Sequence, residues 1–423
     1  MNEFVPLWQR GMSFVGLFAM IGIAWLFSSN RRQFPKRVVA WGMGLQLLFG
    51  LLVLRTSSGL WLFRVLNDGV VKLLEFTARG TEFVFGDYAT EHFSFALNVL
   101  PTILFFSALM AVFYHLGVMQ RVVGAVAWLM QRTMKTSGAE SLSAAANIFV
   151  GQTEAPLVVR PYIARMTVSE LNAVMVGGFA TVAGGVLAAY VGMLHDHFPN
   201  IAGHLIAASV LSAPAALVIA KVMVPETGRS ETAEGATAES LEKLDANLID
   251  AVARGASDGL KLALNVGAML LVFLALLALM NYLIGLPVVA YDAVMHTHHA
   301  APSIEGILGI LFWPLAFLMG VPIDDCTQVA SLLGEKLVLT EFVAYMHLGE
   351  ALTRGGELSH RATVIASYAL CGFANFGSIG IQIGGISAMA PERRGDLARL
   401  GLRAMIGGTL AACMTACVAG MLV

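Results

Sequence analysis

Charge is what this sequence has least of. Only 13% of its 423 residues are Asp, Glu, Lys or Arg, where a soluble domain carries about 25%. Acids and bases nearly cancel, at a formal net charge of -2, so there is no basic field to hold nucleic acid. Cysteine is scarce too. Cys326, Cys371, Cys413 and Cys417 lie in or beside apolar stretches and show no metal or disulfide spacing. Cys413 and Cys417 read as small packing residues of one helix. Long polar segments are almost missing. The exception is 225–249, with Glu226, Arg229, Glu231, Glu234, Glu239, Glu242 and Asp245, which reads as a solvated loop. What remains is apolar: 57% hydrophobic residues and a mean hydropathy of +0.74. These absences exclude an ordinary soluble domain and point to a polytopic membrane protein.

Eight stretches suit spans of about 20 apolar residues: 11–28, 38–54, 95–118, 171–194, 201–223, 255–289, 362–390 and 400–423. The first could pass for a signal peptide, but Arg31-Arg32 and Lys36-Arg37 follow it in place of a small-residue cleavage site. It reads as an uncleaved span with the N-terminus outside. Segment 57–84 mixes Trp61, Leu62, Phe63 and Val65 with Arg64, Asn67, Asp68, Lys72 and Glu75. It suits an amphipathic helix lying in the interface, with a poorly apolar span as the alternative. The basic groups Arg31–Arg37, Arg121–Lys135, Arg160–Arg165 and Arg393–Arg403 belong on one cytoplasmic side. They share a side only if 57–84 does not cross. His296, His298 and His299 read as a solvent-facing loop in preference to a metal site.

Against this background Glu154 is conspicuous. A carboxylate at membrane depth is costly and marks a substrate, an ion or a proton path. It lies in Asn147–Leu157, within a region, 122–166, that is too broken for a clean span. Region 304–350 repeats the pattern, with a turn at Pro322–Asp325 before Thr340-Glu341. Both regions read as re-entrant hairpins, since irregular backbone is tolerated in a membrane only where protein or a cavity covers it. Gly151 and Pro156 bracket the first acid and break a helix there. Each hairpin precedes a span with its own break, Thr181–Val186 and Asn375–Gly380. The two halves form a repeat of the transporter kind.

These stretches resemble the concentrative nucleoside transporter family. The resemblance rests on Asn147–Leu157 with Arg160-Pro161-Tyr162, Thr181–Val186, Leu339–Tyr345 and Cys371–Ile379. It runs from about residue 95 to the C-terminus and is weak over 1–90. It implies an all-α elevator-type carrier: eight transmembrane helices, two re-entrant hairpins, an inverted repeat and an interfacial helix, as a homotrimer in a bacterial inner membrane. The implied partition is N-terminal spans and interfacial helix at 1–94, a scaffold helix at 95–118, and the first hairpin and broken helix of a transport domain at 119–200. Scaffold helices follow at 201–303, the second hairpin and broken helix at 304–395, and a C-terminal helix at 396–423. The implied function is sodium-coupled nucleoside import, with proton coupling as the alternative.

Residue by residue, the resemblance places Gln152, Thr153, Glu154 and Val186 on the nucleobase. Glu341, Asn375 and Ser378 fall on the ribose, and Phe373 on an aromatic wall. Asn147 and Thr181, with the carbonyls of Val150, Thr181 and Val182, match the sodium ligands. That set is all oxygen, as a hard cation requires. Thr181 stands where the family often has Ser, and Gly377 where it often has Ser or Thr. No cofactor is expected beyond the coupling ion. Two other classes fit less well. A carrier of dicarboxylates or amino acids would want Arg or Lys at the breaks, where this chain has acids. A membrane enzyme using Glu154 and Glu341 as an acid–base pair has no nucleophile or metal set beside them.

Overall fold

A computed structural model describes residues 6–86, 94–233, 245–295, 302–353 and 358–423. Among them there is no strand. The helices are α1 (Leu7–Leu26), α2 (Lys36–Arg55), α3 (Ser57–Phe85), α4 (Leu100–His115), α5 (Val118–Met134), α6 (Gly138–Ala146), α7 (Arg160–Ile163), α8 (Val168–Ala180) and α9 (Gly184–Leu194). There follow α10 (Ile201–Met223), α11 (Leu248–Met295), α12 (Ile304–Leu318), α13 (Ile323–Val338), α14 (Glu341–Thr353), α15 (His360–Leu370), α16 (Phe376–Met389) and α17 (Arg394–Leu422). The histidines at 296, 298 and 299, and Glu234, Glu239 and Glu242, lie outside the described residues.

Among the described residues seven passages are long and apolar enough to cross a membrane, counting α8 and α9 as one. The eighth expected span, 362–390, is two short helices, α15 and α16. The expected span 255–289 is the middle of the longer α11. Helices α10 and α17 are buried on almost every side and form the core. Helices α4 and α11 pair closely. Gly255 and Gly259 let their backbones meet, since a Cβ there would lie 2.7 and 2.8 Å from the Cα atoms of Ala108 and Leu104. Small residues serve this purpose in lipid, where burial of apolar surface drives little.

Helix α3 is not among the apolar passages. It packs across the Ile201 end of α10: the Gly203 N–H donates to Asn67 Oδ1 at 3.2 Å. Phe63 occupies the space that Gly203 leaves free. The basic groups meet in two pairs. Arg37 donates to the Thr133 carbonyl at 3.0 Å, and Arg393 to those of Ala164 and Met166 at 3.1 and 2.6 Å.

Both hairpins exist, but their limbs differ from the sequence reading. In the first region α5 is a separate amphipathic helix that ends at a left-handed Lys135 (φ 57°). The hairpin itself is α6, an irregular tip, a 3₁₀ turn at Ala155–Val159, and α7. In the second, the turn at Pro322–Asp325 only joins α12 to α13; the tip is Leu339-Thr340, between α13 and α14. Proline and acid clusters in the sequence drew attention to the base of that hairpin, whereas its tip carries neither.

The first hairpin is anchored at its base by buried charge. Lys221 on α10 reaches Glu140 at 2.6 Å, Glu226 at 3.2 Å and the Ser169 hydroxyl at 3.0 Å. Ser137 and Glu140 form a capping box on α6, and Thr167 and Glu170 another on α8. Ser137 and Ser230 also donate to Glu170. The start of the polar loop is therefore built into the protein: Thr232 is buried and its carbonyl accepts from the Gly138 N–H.

Candidate substrate and ion site

Two helix breaks cross at the centre. Thr181 leaves α8 in extended conformation (φ -130°, ψ 170°), and Asn375 enters α16 likewise (φ -137°, ψ 165°). The Phe373 N–H donates to the Thr181 carbonyl at 3.3 Å. Gly372 permits this crossing, since a Cβ would sit 2.7 Å from the Phe179 carbonyl oxygen. The breaks are offset from the expected glycines: residues 181–183 and 371–375 are non-helical, while Gly184-Gly185 and Phe376–Gly380 already belong to helices.

The tip of the first hairpin lies against the first break. The Gly184 N–H donates to the Phe149 carbonyl at 3.0 Å. Asn147 packs on Gly177 and donates from Nδ2 to the Ser143 carbonyl at 3.1 Å. A carbonyl can only accept, so that bond fixes the amide orientation. The Asn147 Oδ1 is then buried without a partner, at a cost of about 1–3 kcal/mol. Thr181 donates its hydroxyl to the Gly177 carbonyl at 3.2 Å, leaving oxygen lone pairs. Val182 is buried in the break and Val150 half-buried in the tip. Asn147 and Thr181 both meet Gly177, and an orphaned amide oxygen, a hydroxyl and non-helical carbonyls are donors of the type a dehydrated monovalent cation takes.

Gln152 is buried and reaches across to α16. Its Nε2 donates to Ser378 Oγ at 3.1 Å, and its Oε1 accepts from Gln382 Nε2 at 3.1 Å. Thr153 packs its methyl against α16 at Gly385. Val186 is buried on the first full turn of α9. Glu154 differs from its neighbours: it is solvent-exposed, and among the described residues its carboxylate meets no hydrogen-bond donor.

Glu341 is the first residue of α14 and is buried. Its carboxylate accepts from Tyr190 Oη at 3.1 Å and from Asn375 Nδ2 at 3.0 Å. Asn375 Oδ1 in turn accepts from the Ser378 N–H at 2.8 Å, capping α16. Phe373 is half-buried within the second break. The fold therefore brings Gln152, Ser378, Asn375 and Glu341 into one hydrogen-bonded series, with Asn147 on the same tip as Gln152. Three participants escaped the sequence reading. Tyr190 lies four residues after Val186 on the same helix face, and Gln382 four after Ser378, so helical spacing from the recognised residues finds both. Lys336 is buried one turn before the second tip and donates to the Ala369 carbonyl at 2.9 Å.

The comparisons with known proteins can now be set beside this geometry. Family models match 15–88 as "Na+ dependent nucleoside transporter N-terminus", 96–196 as "Nucleoside recognition" and 204–420 as "Na+ dependent nucleoside transporter C-terminus". The chain belongs to the Na+-dependent, or concentrative, nucleoside transporter family. The family consists of transporters, so the enzyme reading is set aside, and no cofactor is implied beyond the coupling ion. Solute carrier family 28 member 3 of Eptatretus stoutii is 45% identical over 100% of this chain. Sodium/nucleoside cotransporter 1 of Mus musculus is 44% identical over 98%. The chain spans only 61% and 64% of those two relatives. The uncharacterized transporter YutK of Bacillus subtilis is 43% identical, covering 97% of this chain and 98% of YutK. The structure of CNTnw in an inward-facing substrate-bound state superposes with a TM-score of 0.88, at 43% identity over 97% of each chain. An outward-facing CNTnw variant gives 0.90, over 99% of this chain and 98% of that one. Such neighbours agree with an elevator-type carrier within this all-α membrane family.

Proposed function

We propose that this chain imports nucleosides together with sodium across a bacterial cytoplasmic membrane, by alternating access. The observation that carries the proposal is the buried, partnerless Asn147 Oδ1, placed on the same hairpin tip as Gln152. A cation bound by Asn147, Thr181 and the carbonyls of Val150, Thr181 and Val182 would hold the tip against the first break. That fixes Gln152, Thr153 and Glu154 for a base resting on Val186, with Phe373 as a wall. The ribose hydroxyls would donate to Glu341, already oriented by Asn375 and Tyr190, with Ser378 between ribose and base, its N–H on Asn375 and its hydroxyl on Gln152. Charge-assisted bonds of this kind are the stronger ones. Ion and nucleoside thus stabilise one arrangement, which is what coupling needs.

Packing supports a division of labour. The close pair α4 and α11 would be the fixed arm, around which a homotrimer forms. The hairpins and broken helices would move. Helix α10, placed with the scaffold on the sequence reading of 201–303, packs on α2, α8 and α17, which favours carrying it with the moving unit.

The test is uptake of labelled uridine into proteoliposomes. Nucleosides are neutral, so one sodium per cycle makes transport electrogenic, gaining about 2.3 kcal/mol per 100 mV of inside-negative potential. Uptake should need inward-directed sodium and rise with that potential. Uptake driven by a proton gradient without sodium would establish proton coupling instead.

A further inference from the structure

We infer that Gln382 is a positioning residue for base recognition. It fixes the Gln152 amide so that the site presents hydrogen-bond donors to a carbonyl oxygen of the nucleobase. The inference rests on the reading of Gln152 as a base contact.

The chain of constraints starts at a backbone atom. Gln382 donates from Nε2 to the Met175 carbonyl of α8 at 3.1 Å. That carbonyl can only accept, so Nε2 must face it. The same Nε2 lies 3.1 Å from the Gln152 side chain, and its second proton needs an acceptor there. Gln152 must therefore turn Oε1 toward Gln382 and Nε2 toward Ser378, as found at 3.1 Å. An amide nitrogen has no lone pair to offer, so Ser378 Oγ accepts this bond and keeps its own proton free.

The outcome is a polarised pair. One N–H of Gln152 and the O–H of Ser378 have no protein acceptor among the described residues. The two donor atoms are 3.1 Å apart. Two adjacent donors match the lone pairs of a carbonyl oxygen and clash with an exocyclic amino group. Gly178 makes the arrangement possible, since a Cβ would lie 2.7 Å from Gln382 Nε2 and 3.0 Å from Gln152 Cβ.

Gln382 is not merely a core filler. It is fully buried, and its own Oε1 has no partner. Leu or Met would fill the space without stranding an acceptor. The amide is retained for what its two N–H groups do.

The experiment measures binding of uridine, 2-thiouridine and 4-thiouridine to the purified full chain in sodium. Sulfur is a poor acceptor, and the two analogues cover both carbonyls of the base. In the wild type, one thio analogue should bind about tenfold more weakly than uridine. In Gln382→Met and Gln382→Leu the Gln152 amide is free to flip, and that penalty should shrink to within about twofold. Ser378→Ala should shrink it as well. Sodium-dependent thermal stabilisation should persist in all three, which shows folded protein with an intact ion site. The inference is overturned if neither thio analogue is penalised in the wild type, or if the penalty is unchanged without Gln382. Failure of the wild type to bind any nucleoside would instead overturn the proposed function itself.

Discussion

The two hairpins carry the same Thr-Glu pair and use it in opposite ways. In the first, the tip is an irregular run from Asn147 to Glu154, with a stranded amide oxygen and an exposed acid. In the second, the tip is two residues long, and Glu341 is buried, helical and bonded by Tyr190 and Asn375. Their buried lysines differ as well. The first is anchored by Lys221 between Glu140 and Glu226. The second holds Lys336 against a single carbonyl, and its limbs are tied by His347 and Glu335 at 2.7 Å. A tip with unmet hydrogen bonds waits for a ligand to complete it. A tip whose acid is already satisfied offers a fixed surface. The lesson is that a repeated sequence pair does not imply a repeated role.

The base of the first hairpin should give the largest effect when broken. Lys221→Met leaves Glu140 buried without its cation and should cost about 3–5 kcal/mol of stability. Thermal melting of the purified protein, compared with Lys221→Met/Glu140→Gln, checks this. The double variant should recover most of the loss, because Glu226, the other carboxylate that loses its lysine, is exposed.

Glu341→Ala comes next. It strands Tyr190 and Asn375 and removes the proposed acceptor for ribose, so uridine kcat/KM should fall by at least about a hundredfold. Sodium-dependent stabilisation should survive, because the proposed ion ligands belong to the other tip. Asn147→Ala reverses that pattern. The sodium concentration for half-maximal uptake should rise about tenfold, while uridine affinity at saturating sodium changes little. If both variants lose both properties equally, the division of labour between the tips is wrong.

Much of this was legible from residues alone. Long apolar runs dictate the spans, and basic clusters dictate the side on which they meet. The broken segments around Glu154 and Glu341 announced hairpins. The limbs were misread because amphipathic α5 and apolar α12 resemble hairpin arms in one dimension; only packing shows that α6 and α13 take that place. The breaks were placed on glycines, yet Asn375 caps α16 ahead of them and Gly184-Gly185 begin α9. Glycine there serves close approach more than unwinding. Tyr190 and Gln382 were missed because a tyrosine or a glutamine in an apolar helix carries no signal until its partner, distant in sequence, is known.

Glu154→Gln should have the smallest effect, and it sharpens the comparison most. By sequence Glu154 is the twin of Glu341, and a costly intramembrane acid invites a large role. Its surroundings say otherwise: it is exposed, and no donor among the described residues engages it. A solvated carboxylate gives up little when replaced by an amide of the same shape. Gln still accepts a hydrogen bond from a base or through a water. The expected change is a rise in uridine KM of about two- to fivefold, worth less than about 1 kcal/mol, with kcat and sodium dependence unchanged. The paired measurement is Glu341→Gln, which should lose far more, because its carboxylate is buried and the ribose hydroxyls proposed to bind it need the charge. Equal losses in the two variants would mean that the first tip closes further on its ligand, burying Glu154 as deeply as its counterpart.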